Sequence, residues 1–353
     1  MAYETGTSTG PDDLLDKLRV WLLANGWSVN LWDDDDSMYT AWSGLVGTGK
    51  RLHVQKTAGD GTVMYFNLRS VNRGVIFEDY YNDSSIESYG KYRAEVTGLG
   101  LNGSTGYDGG NAWDKQPGGT LNDANKSWGV CMTGLSLTAI PAYHFWQDGD
   151  TVVICVEYTS GKFQWLSFGC LEKQGVYTGG QFFTGSLSTY VPSQLLFDTG
   201  TDYPFISFLS CRESRANGAV YLNCDGTAGW RVSGKEAHWS SGLYNYVRFP
   251  SFNPSTNSPT YANWQSLLSF WTTRSPNTFN NIPTFSPLYI TCLRADGRYS
   301  LLGWPAGIRF VVPRDFDPSA EIVYGSDHWQ VFPAHSKADA QGLKVGFALL
   351  KNQ

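Results

Sequence analysis

Lys50–Thr57 (KRLHVQKT), Ala58–Gly61 (AGDG) and Thr62–Val71 (TVMYFNLRSV) stand in succession and decide the fold. Leu52 and Val54 alternate with polar neighbours, the period of a strand with one buried face. Thr62–Val71 continues in kind, and the Asp60-Gly61 dipeptide between the runs is a strong hairpin signal. The segment therefore predicts two antiparallel strands, with His53 on their polar face.

The same reading extends outward. Thr151–Tyr158 and Phe163–Leu171 form a second predicted hairpin, turned by Thr159-Ser160-Gly161, and Leu288–Leu293 pairs with Arg298–Leu302 across Asp296-Gly297. Ile308–Val312, Trp329–Phe332 and Leu343–Leu350 read as further strands. One helix is expected, from about Pro11 to Asn25: Pro11 suits its first turn, and Asp12, Asp13 and Asp16 complement its positive end. Leu14, Leu15, Leu18, Trp21 and Leu22 make its apolar stripe, and Asn25-Gly26 stops it. Residues 1–10 read as a flexible arm, and Gly98–Ser127 and Pro250–Pro287 as long polar loops of the kind that form interfaces. The expected fold is mainly β (α+β): an antiparallel β-sandwich-like body with one N-terminal amphipathic helix and long Gly-rich loops. Composition suggests a division near Gly118–Ser127, into 1–127 (helix plus hairpin) and 128–353 (β-rich), the alternative being one continuous unit.

Composition narrows the function. Fourteen Trp, 20 Tyr and 19 Phe accompany 39 Gly and only five His, a balance suited to packing and interface surface. Charged residues are 16% of the chain, against about 25% ordinarily. Net charge is −6 and no Lys/Arg cluster stands out, so no nucleic-acid partner is expected. No apolar run approaches the ~18 residues of a spanning helix. The six cysteines (Cys131, Cys155, Cys170, Cys211, Cys224, Cys292) show no metal-ligand spacing and are expected to be reduced, with Cys155 and Cys170 in apolar strands. The first residues carry neither the basic nor the apolar region of a signal peptide, so folding in a cytoplasm is expected.

Motif matches fail on context. Gly44–Lys50 reads G-x-x-x-x-G-K, but Arg51 stands where a phosphate-binding loop needs Ser or Thr, and a strand follows instead of a helix. Gly98–Gly103 reads G-x-G-x-x-G and leads into loop residues. Gly6–Gly10 reads G-x-S-x-G, on the predicted arm rather than after a strand. Asp33–Asp36 reads as a solvated surface turn, a cation site being the weaker alternative for want of a closing Glu. His53, His144, His238, His328 and His335 form no paired metal motif. Glu78, Asp79, Glu95, Asp108 and Asp114 are local candidates for a glycosidase carboxylate pair. Trp113, Trp128, Trp146, Trp165, Trp230, Trp239, Trp264, Trp271 and Trp304 offer faces for sugar stacking, weighed against core and interface roles. The expectation is no catalytic, metal or cofactor-binding residue.

Asp13–Leu18 through Ala24-Asn25-Gly26-Trp27, then Lys50–Lys56 and Met64–Ser70 (MYFNLRS), resemble the N-terminal arrangement of tailed-bacteriophage virion structural proteins of the tail or baseplate type. Trp329–Pro333 and the closing Gly346–Lys351 are similar to that group as well. The resemblance implies a non-enzymatic virion component, assembled in the host cytoplasm. It also implies homo-oligomers in a multiple of three or six and other tail or baseplate proteins as partners. Residues 1–10 and Gly98–Ser127 would contribute contacts in such an assembly. The rival readings are a module binding host-surface glycan and, third, a glycan-degrading virion enzyme.

Overall fold

The computed structural model describes residues 1–35, 47–73, 97–119, 121–122, 126–127, 129–187, 218–224, 230–233, 247–248, 278–279, 282–288, 290–293, 299–337 and 346–351. The chain opens with β1 (Ala2–Ser8), α1 (Pro11–Ala24), β2 (Ser28–Asp34), β3 (Lys50–Thr57), β4 (Val63–Val71) and β5 (Gly98–Ser104). Then come β6 (Leu121–Asn122), β7 (Lys126–Ser127), β8 (Val130–Thr133), β9 (Ile140–Asp148), β10 (Thr151–Thr159), β11 (Lys162–Cys170), β12 (Glu172–Lys173) and β13 (Gly179–Leu187). Next are β14 (Gly218–Cys224), β15 (Arg231–Ser233), β16 (Val247–Arg248), β17 (Thr278–Phe279), β18 (Ile282–Pro283) and β19 (Ser286–Pro287). The last are β20 (Ile290–Leu293), β21 (Tyr299–Trp304), β22 (Ile308–Val311), β23 (Ala320–Tyr324), β24 (Asp327–Pro333) and β25 (Gly346–Leu350). The protein is mainly β with one α-helix among the described residues, and its sheets are antiparallel.

α1 forms as its pattern requires. Leu14, Leu15, Leu18, Trp21 and Leu22 are all buried. Asn25 closes the last turn, its backbone N–H reaching Leu22 O at 3.0 Å and its side-chain amide donating to Trp21 O at 2.7 Å. Gly26 takes φ +84°, a left-handed value that costs glycine nothing. The helix start is fastened to β4, where the Ser70 hydroxyl and the Asn72 amide both donate to the Asp12 carboxylate.

The largest sheet has twelve strands, running β1-β9-β10-β11-β13-β8-β5-β4-β3-β2, with β14 and β15 branching from β13. It crosses the 127/128 division that composition suggests, because β1 pairs with β9 and β5 with β8. The sheet curls until its halves face each other. Phe66 of β4 meets Phe168 of β11 at 4.8 Å, and the Trp27 indole N–H donates to Gln147 Oε1 of β9 at 3.0 Å. α1 joins the sheet's two end strands in sequence and packs against β1 to β5, filling the concave side.

β9, β10, β11 and β13 are covered on both faces. Phe145, Ile154, Phe168 and Phe183 point toward α1, while Trp146, Cys155, Trp165 and Phe182 point into a second core. That core is closed by the five-stranded sheet β19-β22-β25-β24-β23, whose Phe332 and Phe347 pack edge-on against Trp165. The Trp165 indole N–H donates to Ala334 O at 2.9 Å, so this buried polar atom is satisfied. Double coverage explains why Thr151–Leu171 lacks clean alternation: both faces need apolar side chains.

Three expectations are corrected here. Residues 2–8 are a strand, registered on β9 from Ala2↔Gln147 to Ser8↔Ile140, rather than a flexible arm. Gly98–Ser104 is likewise a strand, buried along its whole length. Its glycines stand there for close approach: a Cβ on Gly98 would lie 1.9 Å from Met132 O, and one on Gly103 would lie 2.5 Å from the Trp230 ring. Of the expected loop Pro250–Pro287, residues 250–277 and 280–281 lie outside the described residues, and the rest is corrected in carrying the short strands β17, β18 and β19.

Candidate functional site

Because Leu52, Val54, Met64, Phe66, Leu68, Leu99 and Leu101 face α1, strand alternation sends their neighbours to the opposite side of β3-β4-β5. His53 and Asn67 are direct cross-strand partners there, as are Asn67 and Asn102. All three are buried, as is Arg69, which exposes only 2% of its surface. Among the described residues, the segment 105–119 packs on this side through Tyr107 and Trp113. Its ends are tied by Thr105 N–H to Pro117 O at 2.9 Å, which makes it a compact surface loop of the Ω type.

The loop is built around Gln116, 2% exposed. Its Oε1 accepts the Asp108 N–H at 2.8 Å, and its amide nitrogen lies 3.0 Å from Ala112 O and 3.1 Å from Asp108 O. Two aromatic rings seat the loop on the sheet. Trp113 is fully buried with the Arg69 guanidinium 4.7 Å from its ring centroid, and Tyr107 lies 5.3 Å from the His53 ring.

Arg69 donates to Asp35 at 2.5 Å, with both side chains sealed from solvent. Nearby, Arg51 grips Asp33 with two bonds of 2.6 and 3.0 Å. The expected surface turn is therefore corrected: of the four aspartates, Asp33 and Asp34 end β2, and Asp35 is the buried counter-ion of Arg69. Asp36 lies outside the described residues. His53 stands on the polar face of the hairpin as expected, and that face is buried rather than open to solvent. A hydrogen-bond chain leaves it with defined polarity: Nδ1–H donates to Asn67 Oδ1 at 2.7 Å, the Asn67 amide donates to Ser104 Oγ at 3.2 Å, and Ser104 donates to Gly106 O at 2.9 Å. That order places a proton on Nδ1. Its Nε2 is buried and has no hydrogen-bond partner among the described residues. Burial lowers the His53 pKa, and Arg51 adds to this, against the Asn67 bond and the Asp33 and Asp35 charges.

The remaining sequence candidates are dispersed. His144 stacks on Trp146 and its Nδ1 lies 3.1 Å from the Tyr3 hydroxyl, while burial, with Lys351 nearby, holds its pKa down at about 4. His335 is buried against Tyr158, with Nε2 2.9 Å from the hydroxyl. His328 is half-buried and pairs with Glu321 at 2.6 Å. Asp108 lies on the exposed rim of the covering loop and Asp114 is buried in it; Glu78, Asp79, Glu95 and His238 are outside the described residues. Among the tryptophans, Trp113, Trp146 and Trp165 are buried, and Trp230 and Trp304 are partly exposed. Trp128, Trp239, Trp264 and Trp271 are outside the described residues.

Gly6–Gly10 runs from the last residues of β1 to the residue before α1, contrary to the expected arm. Ser8 is nevertheless buried, within 2.9 Å of both Gly10 O and Asp13 Oδ2, so it serves the helix start. Gly98–Gly103 is strand, and Lys50 opens β3 as expected; Gly44–Val46 lies outside the described residues. Cys131, Cys155 and Cys170 are free thiols in the core, and burial pushes Cys131 and Cys170 up to about 12. Among the described residues no group of three or more His, Cys, Asp or Glu could hold a metal ion. Among them, too, no helix is long and apolar enough to cross a membrane.

Comparison with known proteins found no matching family model and no matching curated protein.

Proposed function

We propose that this protein is a structural component of a tailed-bacteriophage particle, of the tail or baseplate type, acting without catalysis through protein–protein contacts in a symmetric assembly. The resemblance of Asp13–Trp27, Lys50–Lys56, Met64–Ser70, Trp329–Pro333 and Gly346–Lys351 to that group supports the reading. The observation that carries it is the edge of the five-stranded sheet. Among the described residues β23 is hydrogen-bonded on one side only, to β24, and its Val323 and Tyr324 are 57% and 59% exposed. An apolar strand edge is a template for pairing with another chain. The burial of Trp113, Trp146 and Trp165 favours this over glycan stacking, because those rings are already used inside the fold.

Partners on this reading are other tail or baseplate proteins and further copies of the chain, in a multiple of three or six, assembled in the host cytoplasm and retained in the virion. The test is light scattering on the purified protein beside mass spectrometry of intact particles. Presence in particles at a fixed multiple of three or six copies is the expected result. A monomer absent from particles overturns the proposal and directs attention to glycan arrays.

A further inference from the structure

We infer that β23 pairs antiparallel with β23 of a second copy of this chain, about a twofold axis at Ile322. This rests on the assembly reading above and names the partner of that edge. β23 (AEIVY) ends the five-stranded sheet, and among the described residues only β24 pairs with it. Natural sheets blunt a solvent-facing edge with charge or proline. Here the one charge, Glu321, already meets His328 Nδ1 at 2.6 Å, while Val323 and Tyr324 stand open to solvent.

Hairpin geometry fixes which backbone groups face outward. Gly325-Ser326 is a two-residue turn, with Gly325 at φ +62°, and it closes on the pair Tyr324↔Asp327. Hydrogen-bonded pairs alternate with non-hydrogen-bonded ones along an antiparallel ladder. Tyr324, Ile322 and Ala320 therefore bond to Asp327, Trp329 and Val331 of β24, while Glu321 and Val323 direct N–H and C=O away from it.

A second β23 must meet these outward groups with its own, which leaves the twofold axis at Glu321, Ile322 or Val323. An axis at Glu321 sets two carboxylates directly opposite, a destabilising pair. An axis at Val323 carries Glu321 onto the partner's turn at Gly325 and keeps only the Val323 pair within the strands. An axis at Ile322 pairs the whole strand. Glu321 then stands opposite the partner's Val323 on both sides of the axis, with two backbone hydrogen bonds in each such pair. Tyr324 covers the partner's Ala320, large opposite small. Ile322, already packed beside Trp329 in an apolar cluster, meets the partner's Ile322. The edge is thus complementary to itself in one register. Such a contact is isologous and makes the copy number even, so it selects six over three.

Ile322→Cys and Glu321→Cys variants of the full-length protein, oxidised in solution and mapped by mass spectrometry, test the register. Opposite residues of a non-hydrogen-bonded antiparallel pair have Cα atoms about 4.5 Å apart, within disulfide reach. Ile322→Cys is expected to give a covalent dimer joined at position 322, and Glu321→Cys to stay unlinked, because it faces the partner's Val323. Light scattering over a concentration series gives a second readout. Wild type is expected at an even number of copies. Val323→Pro deletes an outward N–H where a sheet edge tolerates proline, and should show half that mass or less with an unchanged circular dichroism spectrum. No link at 322, equal linking of both cysteine variants, a wild-type monomer at every concentration, or an unchanged mass for Val323→Pro overturns the pairing. Should the proline variant fail to fold, the link at 322 decides. A linked dimer of a protein absent from particles overturns the virion reading alone; a particle protein without the link overturns the pairing alone.

Discussion

Asp35 and Arg69 offer the sharpest test of the packing. Their side chains are 0% and 2% exposed and meet at 2.5 Å, beneath Trp113. Removing one member of a buried ion pair typically costs about 3–5 kcal/mol. Asp35→Asn, which keeps a polar side chain of similar shape, should fall near the lower end of that range. Arg69→Met also forfeits the guanidinium–indole contact, worth up to about 2 kcal/mol when desolvated, and should fall at or above the upper end. The double variant Asp35→Leu with Arg69→Met removes both charges and should be less destabilised than the sum of the singles by at least about 2 kcal/mol. Against a typical total stability of about 5–15 kcal/mol these are large effects, measurable as shifts in urea midpoint by circular dichroism. A single variant within about 1 kcal/mol of wild type would refute the sealed ion pair. Strict additivity in the double variant would refute the coupling.

Three further outcomes are expected. Gln164 is fully buried and spans Thr133, accepting its N–H at 2.9 Å and donating to its C=O at 2.7 Å. Gln164→Leu orphans both backbone groups and should cost about 2–6 kcal/mol by denaturant titration, at about 1–3 kcal/mol for each. For Asp13, burial raises the pKa, but Lys17, the Thr9 N–H and the Ser8 hydroxyl outweigh it and bring it to about 2. A depressed carboxyl stabilises above its ordinary 3.8 and loses this as pH falls toward 2, so the melting-temperature gap between wild type and Asp13→Asn should shrink from pH 5 to pH 2; a constant gap would contradict the assignment. Mass-mapped thiol labelling at pH 8 should leave Cys131, Cys155 and Cys170 unmodified in the native protein and modify them in guanidinium, as their burial and raised pKa values require.

Much of the local structure was legible. α1 combines a proline at its first position, early acids, a five-residue apolar stripe and an Asn-Gly stop, all within one short segment, and each feature acts through neighbours in sequence. The β3–β4 hairpin was legible for the same reason, through alternation and the Asp60-Gly61 turn. The β10–β11 and β20–β21 hairpins also stand where their turn residues put them. β5 was missed because its glycines mimic a loop; they are present so that Met132 and Trp230 can approach its backbone, which is a property of distant chain. β1 was missed because its partner, β9, lies more than 130 residues away. His53 was legible as facing the polar side but not as buried, and Asp35 was read as solvated, for a related cause. A polar residue in or beside a strand looks solvent-facing unless something packs above it, and what packs on His53 and Arg69 is a loop far downstream.

The sequence by itself therefore determined the helix, the hairpins and the mainly β class, because short-range periodicity and turn chemistry carry them. Only the tertiary structure decided which faces are buried, that one curled sheet crosses the middle of the chain, and that His53, Asn67, Arg69 and Asp35 are buried together, with Tyr107 and Trp113 of 105–119 packed on His53 and Arg69. Burial of a polar group depends on what packs above it, and the packing partner is chosen by the whole fold rather than by the residues alongside.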